Sequence, residues 1–110
     1  MKKTKTFWLS YDLGLKGDYP SLYSWLDEFK AKECGDSFAV FKYDCTTENP
    51  KNEIKIDLES KINFNKTGRV YLIWKDDSKG SINGSFIIGH RKQAPWEGYF
   101  ATNAEQTIDQ

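Results

Sequence analysis

Asp12 closes the run Phe7-Trp8-Leu9-Ser10-Tyr11 and is followed, after Leu13, by Gly14-Leu15-Lys16-Gly17. A carboxylate at the end of an apolar strand, beside a glycine loop, faces a strand-end crevice. A hard cation such as Mg²⁺ or Mn²⁺ needs only one or two protein carboxylates there when water and phosphate complete its shell. The competing reading is that Asp12 caps the loop by accepting backbone N–H bonds, which is the commoner use of Asp at such a position. Ser10 and Ser37 are expected to lie near each other across the sheet as supporting polar groups. Lys16 is the one cation of the loop, and Asp36 reads as turn chemistry.

The second chemical segment is His90-Arg91-Lys92-Gln93-Ala94-Pro95-Trp96-Glu97-Gly98-Tyr99-Phe100. His90 has the near-neutral pKa of a general acid or base, although a single His beside Arg and Lys is more often a surface residue. Arg91 and Lys92 with Trp96 and Tyr99 can hold phosphates and stack on bases. The same residues are those enriched at interface hot spots. The interface reading is favoured, because the chain holds more aromatic residues than one small core can hide.

Other chemistries are excluded or left without support. Cys34 and Cys45 are not in a CxxC arrangement, and with one His they do not complete a four-ligand zinc site. They are expected to be reduced and partly buried. One His also rules out arguing a Ser-His-Asp order. No P-loop, GxGxxG, HExxH or EF-hand pattern occurs. Lys plus Arg and Asp plus Glu are 16 each, so any contact with nucleic acid must be a local patch rather than a global basic excess. The basic N-terminus leads into too short and too polar a stretch for a signal peptide, and no run reaches the length of a membrane span. A cytoplasmic protein with no membrane partner is the expectation.

These residues must be positioned by the elements around them. A length of 110 residues suits one domain, with a core over about 6–90, a strap over 90–100 and a polar tail over 101–110. Thr6 to Leu13 reads as a central strand. Asp18 reads as a helix N-cap, with Pro20 in the first turn and Leu22, Trp25, Leu26 and Phe29 at helical spacing. Trp25 is assigned to the core and Tyr23 to a half-exposed position. Residues 31–34 and 38–43 read as a strand pair joined at Gly35-Asp36. Asn49-Pro50 opens a second helix. Ile54, Leu58 and Ile62 support that helix, while Ile54, Ile56 and Leu58 also alternate as in a strand, so 53–59 carries both patterns. The helix reading is preferred, stopped by Thr67-Gly68. Residues 70–74 and 84–89 form a final hairpin. The order βαββαβ with one added C-terminal strand predicts an α+β, ferredoxin-like sandwich.

On Ser10-Tyr11-Asp12-Leu13 at the first strand's end, the helix Tyr19 to Lys30, the pair Ala31 to Tyr43 and the strand Arg69 to Trp74, the chain resembles the small ferredoxin-fold superfamily. That superfamily includes CRISPR-associated protein 2, the virulence-associated protein D ribonucleases and the GhoS-type antitoxin ribonucleases. The resemblance implies a homodimer in which Asp12 of each protomer faces a shared cleft, with residues 86–100 crossing or strapping the partner. Two functions follow. One is a non-catalytic binding or regulatory module of antitoxin or defence type, contacting a protein or RNA partner through Trp96. The other is a Mg²⁺- or Mn²⁺-dependent endoribonuclease using Asp12, with Ser10 and Ser37 in support and Arg91 and Lys92 on phosphate. Neutral net charge and a lone His favour the first.

Overall fold

The computed structural model describes residues 3–100. Its elements are β1 (Lys3–Asp12), α1 (Tyr19–Glu28), β2 (Lys32–Glu33), β3 (Phe38–Cys45), α2 (Pro50–Lys61), β4 (Arg69–Lys75) and β5 (Ile82–Ile88). They form a mixed α+β architecture with five antiparallel strands in the order β2-β3-β1-β4-β5. The tail over 101–110 lies outside the described residues.

β1 is the centre of the sheet because it pairs on both sides, Phe7 opposite Phe41 of β3 and Trp74 of β4. Strand side chains alternate between faces, and Phe7 and Leu9 are fully buried beneath the helices. Thr4, Thr6, Trp8, Ser10 and Asp12 must then point to the other face.

α1 follows from local sequence. Asp18 accepts from the Ser21 N–H at its N-terminus, and Leu22, Trp25 and Leu26 make its buried stripe. The second Asp18 oxygen accepts from the Asn63 N–H, tying α1 to the segment after α2. These bonds, that from Asn63 foremost, hold the Asp18 carboxyl below its usual range. Trp25 packs against Phe29, Phe41 and Tyr43 and donates from Nε1 to Asp57 of α2 at 2.8 Å. Burial, then the charges of Asp57 and Glu53, pushes the Tyr43 phenol up to about 12.

The double pattern over 53–59 resolves as helix. The Asn49 side chain caps α2 through the Asn52 N–H. Ile54 and Leu58 are 0% exposed while Ile56 is 58% exposed, which is helical periodicity rather than alternation. α2 ends earlier than the stop at Thr67-Gly68 predicts, at Lys61, because Ile62 turns extended and stays buried. Gly68 instead closes the turn that enters β4. β1 begins at Lys3 rather than Thr6. The cysteines also separate: Cys45 is buried and Cys34 is exposed, both as free thiols, so Cys34 departs from the expected partial burial. Among the described residues no helix is long and apolar enough to cross a membrane.

β4 and β5 pair with a bulge in which Ile87 is the extra residue between the Tyr71–Phe86 and Val70–Ile88 pairs. The bulge lets Ile87 and Ile88 both be buried. Gly89, at φ +74° with its Cα packed on the Gly68 carbonyl, then carries the chain out towards Arg91.

Candidate functional site: a cleft of two arginines at the strand end

The register of the sheet assembles the site. Ser10 stands opposite Tyr71 and Asp12 opposite Arg69, while Tyr71 stands opposite Phe86. All five lie on the face away from the helices, where, with Arg91, they line a cleft of about 310 Å³.

Asp12 sits at the cleft's edge, its side chain 60% exposed. One carboxylate oxygen accepts from the Gly14 N–H at 3.1 Å, so the loop-capping use is present. The other lies 3.9 Å from an Arg69 terminal nitrogen. The Arg69 guanidinium lies over the Phe86 ring, 5.6 Å from its centroid. Its Nε is buried and has no hydrogen-bond partner. The Arg91 guanidinium sits 5.3 Å from the Phe86 centroid and 5.7 Å from that of Tyr71. The two rings meet edge to face at 4.9 Å. Cation–π attraction thus fixes two guanidinium groups on one aromatic ledge.

Gly84 makes room for that ledge. A Cβ there would collide with the Tyr71 hydroxyl oxygen, so the ring lies across bare backbone. Tyr11, which also lines the cleft, joins Tyr19 and Tyr23 in an aromatic trio. Burial, then Tyr23, pushes its phenol up, so Tyr11 remains neutral well above neutral pH.

The sequence-predicted site residues divide between this cleft and other surfaces. Asp12, Ser10 and Arg91 meet in the cleft. Ser37 is not among its lining residues; it sits in the β2–β3 turn at φ +59°, its carbonyl accepting from the Tyr11 N–H at 3.0 Å. Ser10 pairs with Phe38, one residue further on. Lys16 and Lys92 are exposed and stand outside the cleft. His90 is exposed and lines an adjoining groove with Lys55 and Glu59 of α2, which shares Phe86 and Arg91 with the cleft. Trp96 and Tyr99 are 74% and 62% exposed in a turn held by the Tyr99 N–H on the Trp96 carbonyl.

The residue sequence reasoning missed is Arg69, together with the Tyr71–Phe86 ledge. The i, i+2 spacing of Arg69 and Tyr71 places them on one face of a strand. Nothing local says that this face meets Asp12.

A divalent cation would find little here. One Asp12 oxygen is engaged by backbone, the other faces a guanidinium, and among the described residues no three His, Cys, Asp or Glu side chains are grouped to hold a metal. The residues of a single chain do not fit Mg²⁺ or Mn²⁺ and better suit an anion. No family model matches the chain, and neither a curated protein nor a solved structure matches it.

Proposed function

We propose that the protein is a small homodimeric binding or regulatory module with a ferredoxin-like fold, of antitoxin or defence type, whose second copy covers the middle strands of the sheet face opposite the helices and leaves the strand-end cleft open. The observation that carries this reading is that face itself. Trp8, Phe38, Val40 and Ile73 are only half-buried on its middle strands, beside the Tyr71–Phe86 ledge of the cleft, and neither helix packs over them. A soluble monomer seldom leaves so continuous an apolar patch bare. Trp96, Tyr99 and Phe100 add three exposed aromatic rings on the strap that follows β5. The ferredoxin-like part of the proposal is supported by the element order βαββαβ through β4, with strand order β2-β3-β1-β4 and β5 added outside.

Sedimentation equilibrium tests it. The wild type should be a dimer, and Trp96→Ala should weaken self-association by about tenfold, the effect of losing a large aromatic anchor. Ile73→Glu should give a folded monomer, since it sets a charge in the middle of the covered face. A monomeric wild type removes the dimer reading. A dimer indifferent to Trp96→Ala removes the strap from the interface.

The alternative, a Mg²⁺- or Mn²⁺-dependent endoribonuclease using Asp12, rests on the resemblance, which brings two copies of Asp12 to one cleft. Arg69 beside each carboxylate weighs against it. Wild type and Asp12→Ala, assayed on single-stranded RNA with either metal, should show the same residual cleavage. Metal-dependent cleavage lost in the variant would establish the nuclease in place of the binding module.

A further inference from the structure

The cleft at the end of β1 carries more cationic capacity than the protein itself uses. Arg69 and Arg91 give it two fixed positive charges against the single carboxylate of Asp12. Among the described residues Arg91 makes no ion pair. Arg69 has its one acidic neighbour at 3.9 Å, beyond a good charge-assisted hydrogen bond, and its Nε is buried without an acceptor. The Arg69 side chain as a whole is 26% exposed to the cleft, so its donors are not all taken up within the protein.

The aromatic ledge says what kind of partner fits. Each guanidinium lies within 6 Å of a ring centroid, and a planar fork held on an aromatic face is the group that recognises phosphate or carboxylate in a bidentate way. Lys could not do this, since its ammonium is a point charge. Asp12 would repel a second anionic group close by, but its oxygens, one on the Gly14 N–H and the other 3.9 Å from Arg69, keep lone pairs that can accept from a hydroxyl or amino donor. The Ser10 hydroxyl lines the same cleft. Two anion-binding forks beside one acceptor match a phosphate monoester carried on a group rich in hydroxyl or amino donors.

We infer that this cleft is a nucleotide-phosphate site, in which Arg69 and Arg91 hold the phosphate and Asp12 accepts a hydrogen bond from the sugar or base. It deepens the binding-module reading by naming a ligand class. It stands on residues of a single chain, so it can fail while self-association holds, and the reverse.

Isothermal titration with AMP, inorganic phosphate and adenosine, each against the full chain, tests it. AMP should bind most tightly, phosphate more weakly and adenosine not measurably. Arg91→Ala, on an exposed segment where folding is not at stake, should weaken AMP by about tenfold or more, the loss of one charge-assisted fork. Arg69→Lys should weaken it although the charge is kept. Asp12→Asn should narrow the gap between AMP and phosphate. Adenosine binding as well as AMP, Arg91→Ala leaving AMP affinity unchanged, or no binding of AMP by a folded wild type would each overturn the assignment. Tight binding of single-stranded RNA with none of AMP would assign the cleft to a polymer backbone instead and overturn it equally.

Discussion

Trp25→Ala is expected to lower the unfolding free energy by about 3–5 kcal/mol, the range for deleting a large buried aromatic residue. Trp25 is 1% exposed and its indole joins three parts of the molecule. It lies tilted against Phe29 at the end of its own helix at a ring distance of 4.5 Å, meets Phe41 of β3 edge-on at 5.1 Å, and donates to Asp57 of α2 at 2.8 Å. Alanine would leave a cavity between helix and sheet and would strip Asp57 of its neutral donor. Domains of this size have a total stability of about 5–15 kcal/mol, so the variant sits near the limit of folding. Urea denaturation followed by far-ultraviolet circular dichroism measures it. A loss below about 1 kcal/mol would show that the core closes without the indole.

Gly89→Ala is expected to have the next largest effect, and it reaches the site as well as the fold. Gly89 has φ +74°, a region that costs an L residue about 1–2 kcal/mol. A Cβ there would also fall 2.5 Å from the Gly68 carbonyl oxygen and 2.9 Å from the Arg69 Cγ. Backbone cannot swing aside as a flexible side chain can, and overpacking of this kind costs about 1–3 kcal/mol more. The sum is about 2–5 kcal/mol. Relief would come by moving the β5 exit away from β4, which displaces Arg91 and presses on Arg69 together, so AMP affinity should fall in whatever fraction remains folded. Gly80→Ala is the control. Gly80 has a similar φ of +69° with nothing within 4 Å of the added Cβ, so it should lose only the conformational part and leave AMP binding intact. Equal losses in the two variants would show that the Gly68 contact is relaxed at no cost.

The contrast between these glycines also marks the boundary of what sequence reading reaches. A glycine in a polar loop, as Gly80 is, is compatible with a positive φ, whereas Gly89 reads from sequence as the end of the strand over 84–89 and only the structure gives it φ +74°. Only the folded chain shows that Gly89 lies against the backbone of another strand while Gly80 faces open space. The same holds for Arg69. Its place at the start of a strand was legible, whereas its meeting with Asp12 depends on β4 pairing with β1 in one register out of several, more than fifty residues away in the chain.

What the sequence by itself determined was local. Asp18 and Asn49 capped helices where their short side chains could satisfy the first free N–H groups, and Leu22, Trp25 and Leu26 marked a stripe because a helix repeats every 3.6 residues. The Gly35-Asp36 turn between β2 and β3 followed from the conformations those residues tolerate. Asp12 was placed at a strand end by the glycine loop that follows it. The tertiary structure alone decided that β1 lies between β3 and β4, that Arg69, Tyr71, Phe86 and Arg91 line one cleft with Asp12 while Ser37, Lys16 and His90 do not, and that both helices pack on one face of the sheet. The reason is physical: caps, turns and periodicities are set by interactions within a few residues, but register is set by the summed burial and hydrogen bonding of strands far apart in sequence. A slip of one residue would turn every one of these side chains to the opposite face.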